Sequence, residues 1–366
     1  MNRKDFLKLC GILGVGIPAQ AAISGCSKDF VTTKFSGKVI IIGAGPGGMS
    51  AAYLLQQLGV DYEVLEASNH VGGRIRTDDS FADFPIPLGA EWLETEVGVL
   101  QDIVNDASVD VQVTTTFDNP DFKFVNSSWL DFFESYILPS IADKIQFNKV
   151  VTSIEYGDAK VKIGTKDNTY ESDAVFVSVP LKVLQDGHIS FTPTLPSYKT
   201  KAIQEAEIWS GFKAFIEFKS DFYGDGHSFD IQPETDGQKL YYDATFGQAS
   251  TKNILGLFTI GKPAEDYTNL QGDVLRDYIL KELDGLFDNK ATPNYVNHIV
   301  QNWNDEPFIQ GGYLSDHADW KLVRDLGKSI DNKVFFAGGP YSDGNDWVSV
   351  HVAAASAKTA VEALVS

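Results

Sequence analysis

The sequence predicts an α/β fold in which a domain with a parallel sheet is joined to a second domain with a mixed sheet, and two patterns lead to this prediction. Residues 39–42 are apolar on every face, as a buried central strand of a parallel sheet requires. Between about Trp209 and Trp303, four segments have the pattern of alternating strands. With 366 residues, 43% of them apolar, the chain can form one large or two closely joined domains.

A glycine-rich turn with the spacing G-x-G-x-x-G follows the first strand. Gly43 permits a tight turn, Gly45 lets a pyrophosphate approach the backbone, and Gly48 lets the helix pack closely on the strand. The helix N-terminus adds N–H groups and a positive dipole. The predicted dinucleotide-binding residues of this turn are Gly43, Gly45, Pro46, Gly47 and Gly48.

A second strand, residues 61–65, follows the helix and ends in an acid. Glu66 lies 23 positions after Gly43, where a ribose hydroxyl of a dinucleotide would sit. Strand, helix, strand and terminal acid in this order favour a Rossmann-like nucleotide site over a merely tight turn.

The next residues indicate which dinucleotide is bound. Residues 66–77, with Gly-Gly-Arg at 72–74, resemble the stretch after the second strand in the flavin-containing amine oxidase family of monoamine and polyamine oxidases. The resemblance implies FAD, and Arg74 would donate to an anionic group. The family usually has an arginine where this chain has His70, so one phosphate contact is expected to be weaker or pH-dependent. The implied FAD-binding residues are Glu66, Ala67, Gly72, Gly73 and Arg74.

Two further segments resemble parts of the family that contact FAD. Residues 85–93 match the segment with a glycine pair near the flavin, with Pro87 where an acid is common. Near residue 150, a valine backbone would meet the adenine. The implied residues are Gly89, Ala90, Glu91, Trp92 and either Val150 or Val151.

The predicted substrate sheet consists of strands at 211–219, 239–245, 253–260 and 295–303. Residues 256–262 resemble the family strand that ends in a lysine hydrogen-bonded through water to flavin N5, which makes Lys262 the expected catalytic lysine. A fixed cation there would stabilise the negative charge that develops when oxygen reoxidises the flavin.

Aromatic residues complete the expected site. In the segment 302–313, which resembles the family, Trp303 would pack beside the isoalloxazine and Tyr313 would form one wall of an aromatic cage that orients an amine. Trp347 is favoured over Val348 for the other wall, and both are counted as flavin contacts. Family members that bind flavin covalently have a cysteine where this chain has Gly312, so the FAD is expected to be non-covalent.

The last strand, residues 333–339, also resembles the family and would bring Gly338 and Gly339 to the flavin. The glutamate that usually follows is missing, since Gly339 and Pro340 stand in its place. The FAD-binding domain is expected to comprise residues 38–92, 148–185 and 330–366, and the substrate domain residues 93–147 and 186–329. Residues 95–147 are expected to be mostly helical.

The N-terminal residues predict export. Residues 1–26 have the basic start and short apolar stretch of a signal peptide, and they resemble a twin-arginine signal with lysine as its second basic residue. Residues 23–26 resemble a bacterial lipobox, so Cys26 would carry a lipid and residues 27–37 would be a tether. A plain signal peptide is the alternative. The expected location is the periplasm or cell envelope, with the lipid as the only membrane contact.

Composition excludes some functions. The net charge of −20 argues against nucleic acid as a partner. Cys10 and Cys26 are the only cysteines, so a chain that starts at Cys26 has no disulfide, and the six histidines show no metal-ligand spacing.

The resemblance covers nearly all of residues 38–364 and implies an FAD-dependent oxidoreductase. It would oxidise the C–N bond of an amine to an imine by hydride transfer to flavin N5. Oxygen, which would give hydrogen peroxide, or another acceptor would then reoxidise the flavin. One alternative is a related enzyme that acts on C–C bonds, as desaturases and protoporphyrinogen oxidases do. Another alternative is a degenerate flavin-binding lipoprotein without turnover. The differences from the usual residues of the family at His70, Pro87 and 339–340 favour this alternative. The sequence predicts neither the specific substrate nor the oligomeric state.

Overall fold

The computed structural model describes residues 34–115, 121–224 and 236–366, and the backbone of 228–232. The predicted signal peptide, the predicted lipidation site Cys26 and residues 27–33 of the predicted tether lie outside these ranges. No helix within them is both long and apolar enough to cross a membrane.

The strands are β1 Lys38–Ile42, β2 Asp61–Leu65, β3 Thr77–Asp78, β4 Ile86–Pro87, β5 Trp92–Leu93, β6 Val113–Thr115, β7 Phe122–Phe124, β8 Ile145–Gln146, β9 Val151–Glu155, β10 Val161–Thr165, β11 Thr169–Ser172, β12 Ala174–Val177, β13 Ser190–Thr192, β14 Gly211–Phe218, β15 Ser228–Gln232, β16 Gly237–Asp243, β17 Asn253–Gly261, β18 Tyr295–Asn302 and β19 Val334–Phe336.

The α-helices are α1 Pro46–Gln57, α2 Val99–Val104, α3 Trp129–Tyr136, α4 Leu138–Ile141, α5 Leu181–Gln185, α6 Ser197–Glu205, α7 Glu265–Thr268, α8 Gly272–Leu286, α9 Ala291–Asn294, α10 Trp320–Gly327 and α11 Val350–Val365. Short 3-10 helices span Gly73–Ile75, Ala142–Lys144, Lys262–Ala264 and Gly339–Tyr341.

A five-stranded parallel sheet in the order β19-β12-β1-β2-β8 forms the first layer. Its central strand β1 pairs with β2 through Val39 and Tyr62 and with β12 through Val39 and Ala174. Residues 39–42 are at most 3% exposed, which explains their unbroken apolar run. The strands come from three separated parts of the chain, and the predicted α/β fold class is confirmed.

Two strands lie outside the domain boundaries that the sequence suggested. The strand β8, expected in the substrate domain, pairs with β2 and closes the parallel sheet. The strand β13, also expected there, pairs in parallel with β9 in a four-stranded sheet beside it. Both segments extend the nucleotide-side layers.

The segment 95–147 differs most from its prediction. It is not mostly helical, because β6 and β7 join β5 in a three-stranded sheet in the order β5-β7-β6. Its helices pack against the parallel sheet: Trp129, Phe132 and Phe133 share a core with α1 and β1. Phe122, Lys123 and Phe124 alternate as the residues of a strand do, but a run of three residues is too short to predict a strand from the sequence.

The substrate sheet is antiparallel, in the order β15-β16-β17-β14-β18. Residues alternate between its faces along β14. Phe212 and Ala214 pack on α8, whereas Phe215 packs with Tyr242 on the opposite face. Lys213 shares the face of Phe215 and lines the large cavity described next.

Candidate active site

A cavity of about 1420 Å³ separates the parallel sheet from the substrate sheet. It runs from the turn after β1 to Phe258 on β17. Pockets for single drug-sized ligands have about 300–1,000 Å³. The cavity can therefore hold a dinucleotide together with a small second molecule.

The N-terminus of α1 opens one end of this cavity. Gly43 has φ +102°, and a Cβ atom there would lie 2.5 Å from the carbonyl oxygen of Ser178. A Cβ at Gly47 would lie 2.9 Å from the Cα of Gly338, so the backbones of the two segments meet directly. Gly48 does not line the cavity; its missing side chain lets α1 pack against the oxygen of Gly43.

The carboxylate of Glu66 is fixed at the cavity wall. One oxygen accepts a hydrogen bond from the backbone N–H of Ala44 at 2.6 Å, and the other accepts from the N–H and hydroxyl of Ser68 at 2.8 Å. Ala67 and the two valines at 150–151 line the cavity beside it. These groups surround the place that the sequence predicted for the ribose and adenine.

The Gly-Gly-Arg segment brings a cation into the cavity. Gly72 faces away from it and holds the turn, with φ +104° and a hydrogen bond from its N–H to the oxygen of Ala44. Gly73 and Arg74 line it. The guanidinium of Arg74 donates to the carbonyl oxygen of Gly312, and burial lowers its pKa, which Tyr341 counteracts. Among the residues that the structure describes, Gly312 is the one hydrogen-bond acceptor of this guanidinium, so its other N–H groups can donate to a ligand.

The His70 that replaces the family's arginine also lines the cavity. Its Nε2 lies 3.2 Å from Nη2 of Arg76, which forms a bidentate ion pair with Glu306 at 2.8 and 3.0 Å. The guanidinium of Arg76 lies 5.5 Å from the ring centre of Trp303. The sequence interpretation did not include Arg76 or Glu306.

A buried ion pair lies at the substrate end. The Nζ of Lys213 donates to Glu91 Oε2 at 2.7 Å and to the carbonyl oxygens of Pro87 and Gly89 at 2.9 and 3.2 Å. Glu91 also accepts from the hydroxyl of Tyr242 at 2.5 Å. Burial lowers the pKa of Lys213, and the charge of Glu91 partly offsets this. The three acceptors around its Nζ match the three N–H groups of an ammonium.

The predicted catalytic lysine is not at this cavity. Lys262 is exposed and begins a 3-10 helix after β17, with its N–H bonded to the oxygen of Asp236. The residues of that strand that line the cavity are Phe258, Thr259 and Ile260. The prediction for Lys262 is therefore wrong, and Lys213 on the neighbouring strand is the lysine that faces the cavity. A lysine between the apolar residues Phe212 and Ala214 was the available signal.

Strands β5 and β7 supply another wall. Trp92 and Lys123 are directly opposite across the strand pair, and alternate residues of a strand share a face. Glu94 and Asp121 lie just outside these strands, each two residues from Trp92 or Lys123, and all four residues line the cavity. These four residues are here called the ribbon wall. Leu93 and Phe124, on the other face, are buried in the core.

Acidic side chains crowd one end of the ribbon wall. Burial raises the pKa of Glu94 to about 7; a hydrogen bond with Ser349 lowers it, and the charges of Asp121, Asp346 and Asp316 raise it. Burial likewise raises the pKa of Asp316. Acids in mutual repulsion gain from a cation placed among them.

The predicted aromatic residues also line the cavity, and Tyr313 lies near these acids. Burial raises the pKa of the Tyr313 phenol, and the charges of Asp316 and Glu94 add to this. Trp347 donates its indole N–H to the oxygen of Ser315 at 2.9 Å. Trp303 donates to the oxygen of Leu88 at 3.1 Å and is buried.

The structure thus brings most of the predicted residues to one cavity. The predicted residues that line it are Gly43, Gly45, Pro46, Gly47, Glu66, Ala67, Gly73, Arg74, Gly89, Ala90, Glu91, Trp92, Val150, Val151, Trp303, Tyr313, Gly338, Gly339, Trp347 and Val348. Those that do not are Gly48, Gly72 and Lys262. Within the described residues, no group of three histidine, cysteine or acidic side chains could hold a metal ion.

The chain is similar to known amine oxidases in sequence. It is 29% identical over 191 residues to Polyamine oxidase 7 of Oryza sativa subsp. japonica, covering 49% of this chain and 38% of that protein. It is 22% identical over 408 residues to Polyamine oxidase 2 of Arabidopsis thaliana, covering 82% of each. The chain thus spans less than two fifths of the first of these relatives.

The fold also has solved counterparts. A wild-type putrescine oxidase bound to putrescine superposes with a TM-score of 0.72 at 15% identity, covering 90% of this chain and 98% of that one. A model of NAD(P)-binding Rossmann-like domains matches residues 41–107, and the model described as "Flavin containing amine oxidoreductase" matches residues 137–365. With that match over more than half of its length and a cavity shaped for a dinucleotide, the chain belongs to the flavin-containing amine oxidoreductase family, whose cofactor is FAD.

Proposed function

We propose that this protein oxidises the C–N bond of a small amine to an imine, which water then hydrolyses. The observation that carries the proposal is a single cavity that joins a dinucleotide site to aromatic and acidic side chains. When bound, FAD supplies the two-electron chemistry, taking hydride at N5 and passing the electrons to oxygen or another acceptor. The protein's part is binding, orientation and electrostatics.

The residues of the nucleotide end fit FAD. A helix N-terminus and two close-approaching glycine backbones are suited to a pyrophosphate, and the fixed carboxylate of Glu66 is suited to a ribose. With Gly312 as its one acceptor in the described ranges, Arg74 has N–H groups left to donate. Gly312 carries no side chain that could bond to a flavin, which supports non-covalent binding.

The acidic end of the ribbon wall supports an amine as the substrate. An alkylammonium placed near Glu94 would relieve the repulsion that Asp121, Asp316 and Asp346 impose on this carboxylate. Tyr313, whose pKa the charges of Asp316 and Glu94 raise, and Trp347 also line the cavity, and aromatic rings attract cations. This arrangement favours amine oxidation over the desaturation of an uncharged carbon chain.

Lys213 is the lysine we assign to the role first expected of Lys262. It lies in the cavity wall with its ammonium held by Glu91 and by the oxygen of Gly89. A Cβ at Gly89 would lie 2.9 Å from Trp303 and 1.8 Å from the oxygen of Arg74, so this cation is next to the residues expected around the flavin ring. A fixed cation stabilises negative charge that develops there.

An anaerobic absorbance titration tests the proposal. The protein loaded with FAD is mixed with butylamine, putrescine or spermidine, and we expect at least one amine to bleach the flavin. Bound flavin that is reduced by dithionite but by no amine would refute the proposal, and failure to retain FAD would favour the degenerate alternative. Glu94→Gln should weaken amine binding about tenfold or more above pH 7 while FAD binding is unchanged.

We also propose that the protein is exported and carries a lipid at Cys26. The support is the sequence of residues 1–26. Mass spectrometry of the N-terminal peptide from the native host tests this. A diacylglycerol-modified Cys26 is expected, whereas cleavage elsewhere would leave a plain signal peptide.

A further inference from the structure

A second buried lysine faces the cavity and has no part in the function proposed above. Lys123 is 5% exposed and lies on the ribbon wall opposite Trp92. The acids Asp121 and Glu94 are each two residues along the chain from one member of this pair, just outside the two strands, and they line the same cavity. A lysine buried in a wall that attracts cations calls for an explanation, because burying an ammonium is costly.

Hydrogen-bond partners distinguish the two lysines. An ammonium has three N–H groups, and Lys213 has three acceptors, namely Glu91 and two carbonyl oxygens. In the described part of the chain, Lys123 has one, the oxygen of Ala244 at 3.0 Å, while the nearest oxygen of Glu91 is 4.0 Å away. The surroundings of Lys213 satisfy an ammonium, and those of Lys123 satisfy a neutral amine with one donated N–H.

The charges around Lys123 agree with this assignment. Burial lowers its pKa, and Lys213 lowers it further, whereas Glu91 and Asp243 raise it. Both carboxylates have other partners: Glu91 accepts from Lys213 and from Tyr242, and Asp243 accepts from the N–H and hydroxyl of Thr245. The carboxylate of Glu91 lies between two buried lysines and can balance only one positive charge. Lys213, which is hydrogen-bonded to it, carries that charge.

We propose that Lys123 acts as a neutral amine that accepts a proton from the ammonium form of the substrate. The substrate N–H bond breaks, its electron pair stays on the substrate nitrogen, and Lys123 Nζ becomes an ammonium, so no oxidant is consumed. This inference rests on the proposed amine oxidation. Glu94 and Asp121 would draw in the ammonium form, and Lys123 on the same wall would convert it to the neutral amine that loses hydride.

The size of the expected effect follows from the acidity of alkylammonium ions. With a pKa near 10.4, as in lysine, about one molecule in 10³ is neutral at pH 7.5. A proton acceptor within the site would remove most of this factor. General bases contribute about 10²–10⁴-fold, which covers the required range.

The first test is the pH dependence of flavin reduction at saturating amine, measured by anaerobic stopped flow with putrescine or butylamine. In Lys123→Met, the rate constant at pH 7.5 should fall by about 10²-fold or more, and the difference should vanish near pH 10. Lys123→Arg, which keeps a cation but cannot accept a proton, should behave like Lys123→Met. A wild-type profile in Lys123→Arg would overturn the proposal. Lys199→Met, which removes another buried lysine that does not line the cavity, is the matched control.

A second measurement does not depend on turnover. In protein labelled with ¹³C at lysine Cε, the resonance missing from Lys123→Met reports the protonation of Lys123, and a neutral-amine shift is expected at pH 7.5. If an amine reduces the flavin but the Lys123 resonance has the chemical shift of an ammonium, the role of Lys123 is overturned and the proposed function stands. Flavin that no amine reduces would overturn the proposed function, and the role of Lys123 with it, whatever the shift.

Discussion

Glu91→Gln tests how much the buried ion pair of Glu91 and Lys213 contributes to the stability of the fold. The substitution removes the charge of the side chain but keeps its shape. The side chains of Glu91 and Lys213 are 5% and 3% exposed, and they are joined at 2.7 Å. The change leaves the ammonium of Lys213 buried among neutral groups. Removing one partner of a buried ion pair costs about 3–5 kcal/mol.

A matched pair on the surface provides the control. Lys182 and Asp186 are also 2.7 Å apart, but their side chains are 37% and 32% exposed. Asp186→Asn should therefore cost about 0.3–0.5 kcal/mol, as exposed i,i+4 pairs do. At about 2.1 cal/mol/K per residue, unfolding of this chain has an entropy near 0.8 kcal/mol/K. The expected fall in Tm is about 4–7 °C for Glu91→Gln and under 1 °C for Asp186→Asn.

Urea unfolding followed by tryptophan fluorescence, without added FAD, measures the loss in free energy of unfolding for Glu91→Gln and for Asp186→Asn. Thermal unfolding of the same variants measures the fall in Tm. The double variant Glu91→Gln/Lys213→Met should recover more than half of the loss, since no uncompensated charge stays buried. Equal effects of Glu91→Gln and Asp186→Asn would refute the reasoning, because the burial of the pair would then carry no energetic weight.

Three further outcomes are expected. Lys213→Met should slow the reoxidation of amine-reduced flavin by oxygen on the order of 10²-fold, whereas Lys262→Met should not change it, as stopped-flow absorbance will measure. Gly47→Ala, which forces a Cβ against the Gly338 backbone, should weaken FAD retention in equilibrium dialysis at least tenfold, whereas Gly285→Ala, with open space, should stabilise the fold by about 0.5–1 kcal/mol. Burial lowers the pKa of Lys199 to about 6, whereas the unfolded chain has a lysine pKa of about 10.4. Between pH 6 and 10 the unfolded state therefore binds more protons, and the free energy of unfolding should rise with pH by up to about 1.4 kcal/mol per pH unit. Lys199→Met should remove this slope.

Each outcome has a contrary result. Slower reoxidation in Lys262→Met would return that residue to the mechanism. Unchanged FAD retention in Gly47→Ala would mean that the contact with Gly338 does not shape the site. Parallel stability curves for the wild type and Lys199→Met across this pH range would show that Lys199 keeps its proton in the folded protein.

The nucleotide half could be predicted because its signals are local. An apolar strand, glycines at fixed spacing and a terminal acid each have a meaning that depends on a few neighbours. Gly43 and Glu66 accordingly lie at the cavity. Gly72 and Gly48 do not, because a glycine can serve the packing of a turn as well as the approach of a ligand.

The substrate half depends on pairings between distant residues. Lys213 faces the cavity because β14 lies between β17 and β18, with Lys213 opposite Phe258 and Gln301. That register cannot be read from either strand alone, so a lysine at a strand end was preferred to one within a strand. Lys123 was missed for a related reason: β7 has three residues, too few for a clear alternation.

The three-segment construction of the parallel sheet has a consequence for how the protein matures. The strand β19 and Gly338, which meets Gly47 of α1, come from the last part of the chain. Gly338 lies 291 residues after Gly47 in the sequence. Contacts this far apart in sequence form late, because a long loop must close first. A nascent chain can thus complete the glycine-rich turn early and still lack the strand that closes the cleft. FAD would then be captured only by a finished polypeptide, which makes cofactor loading a report on complete synthesis.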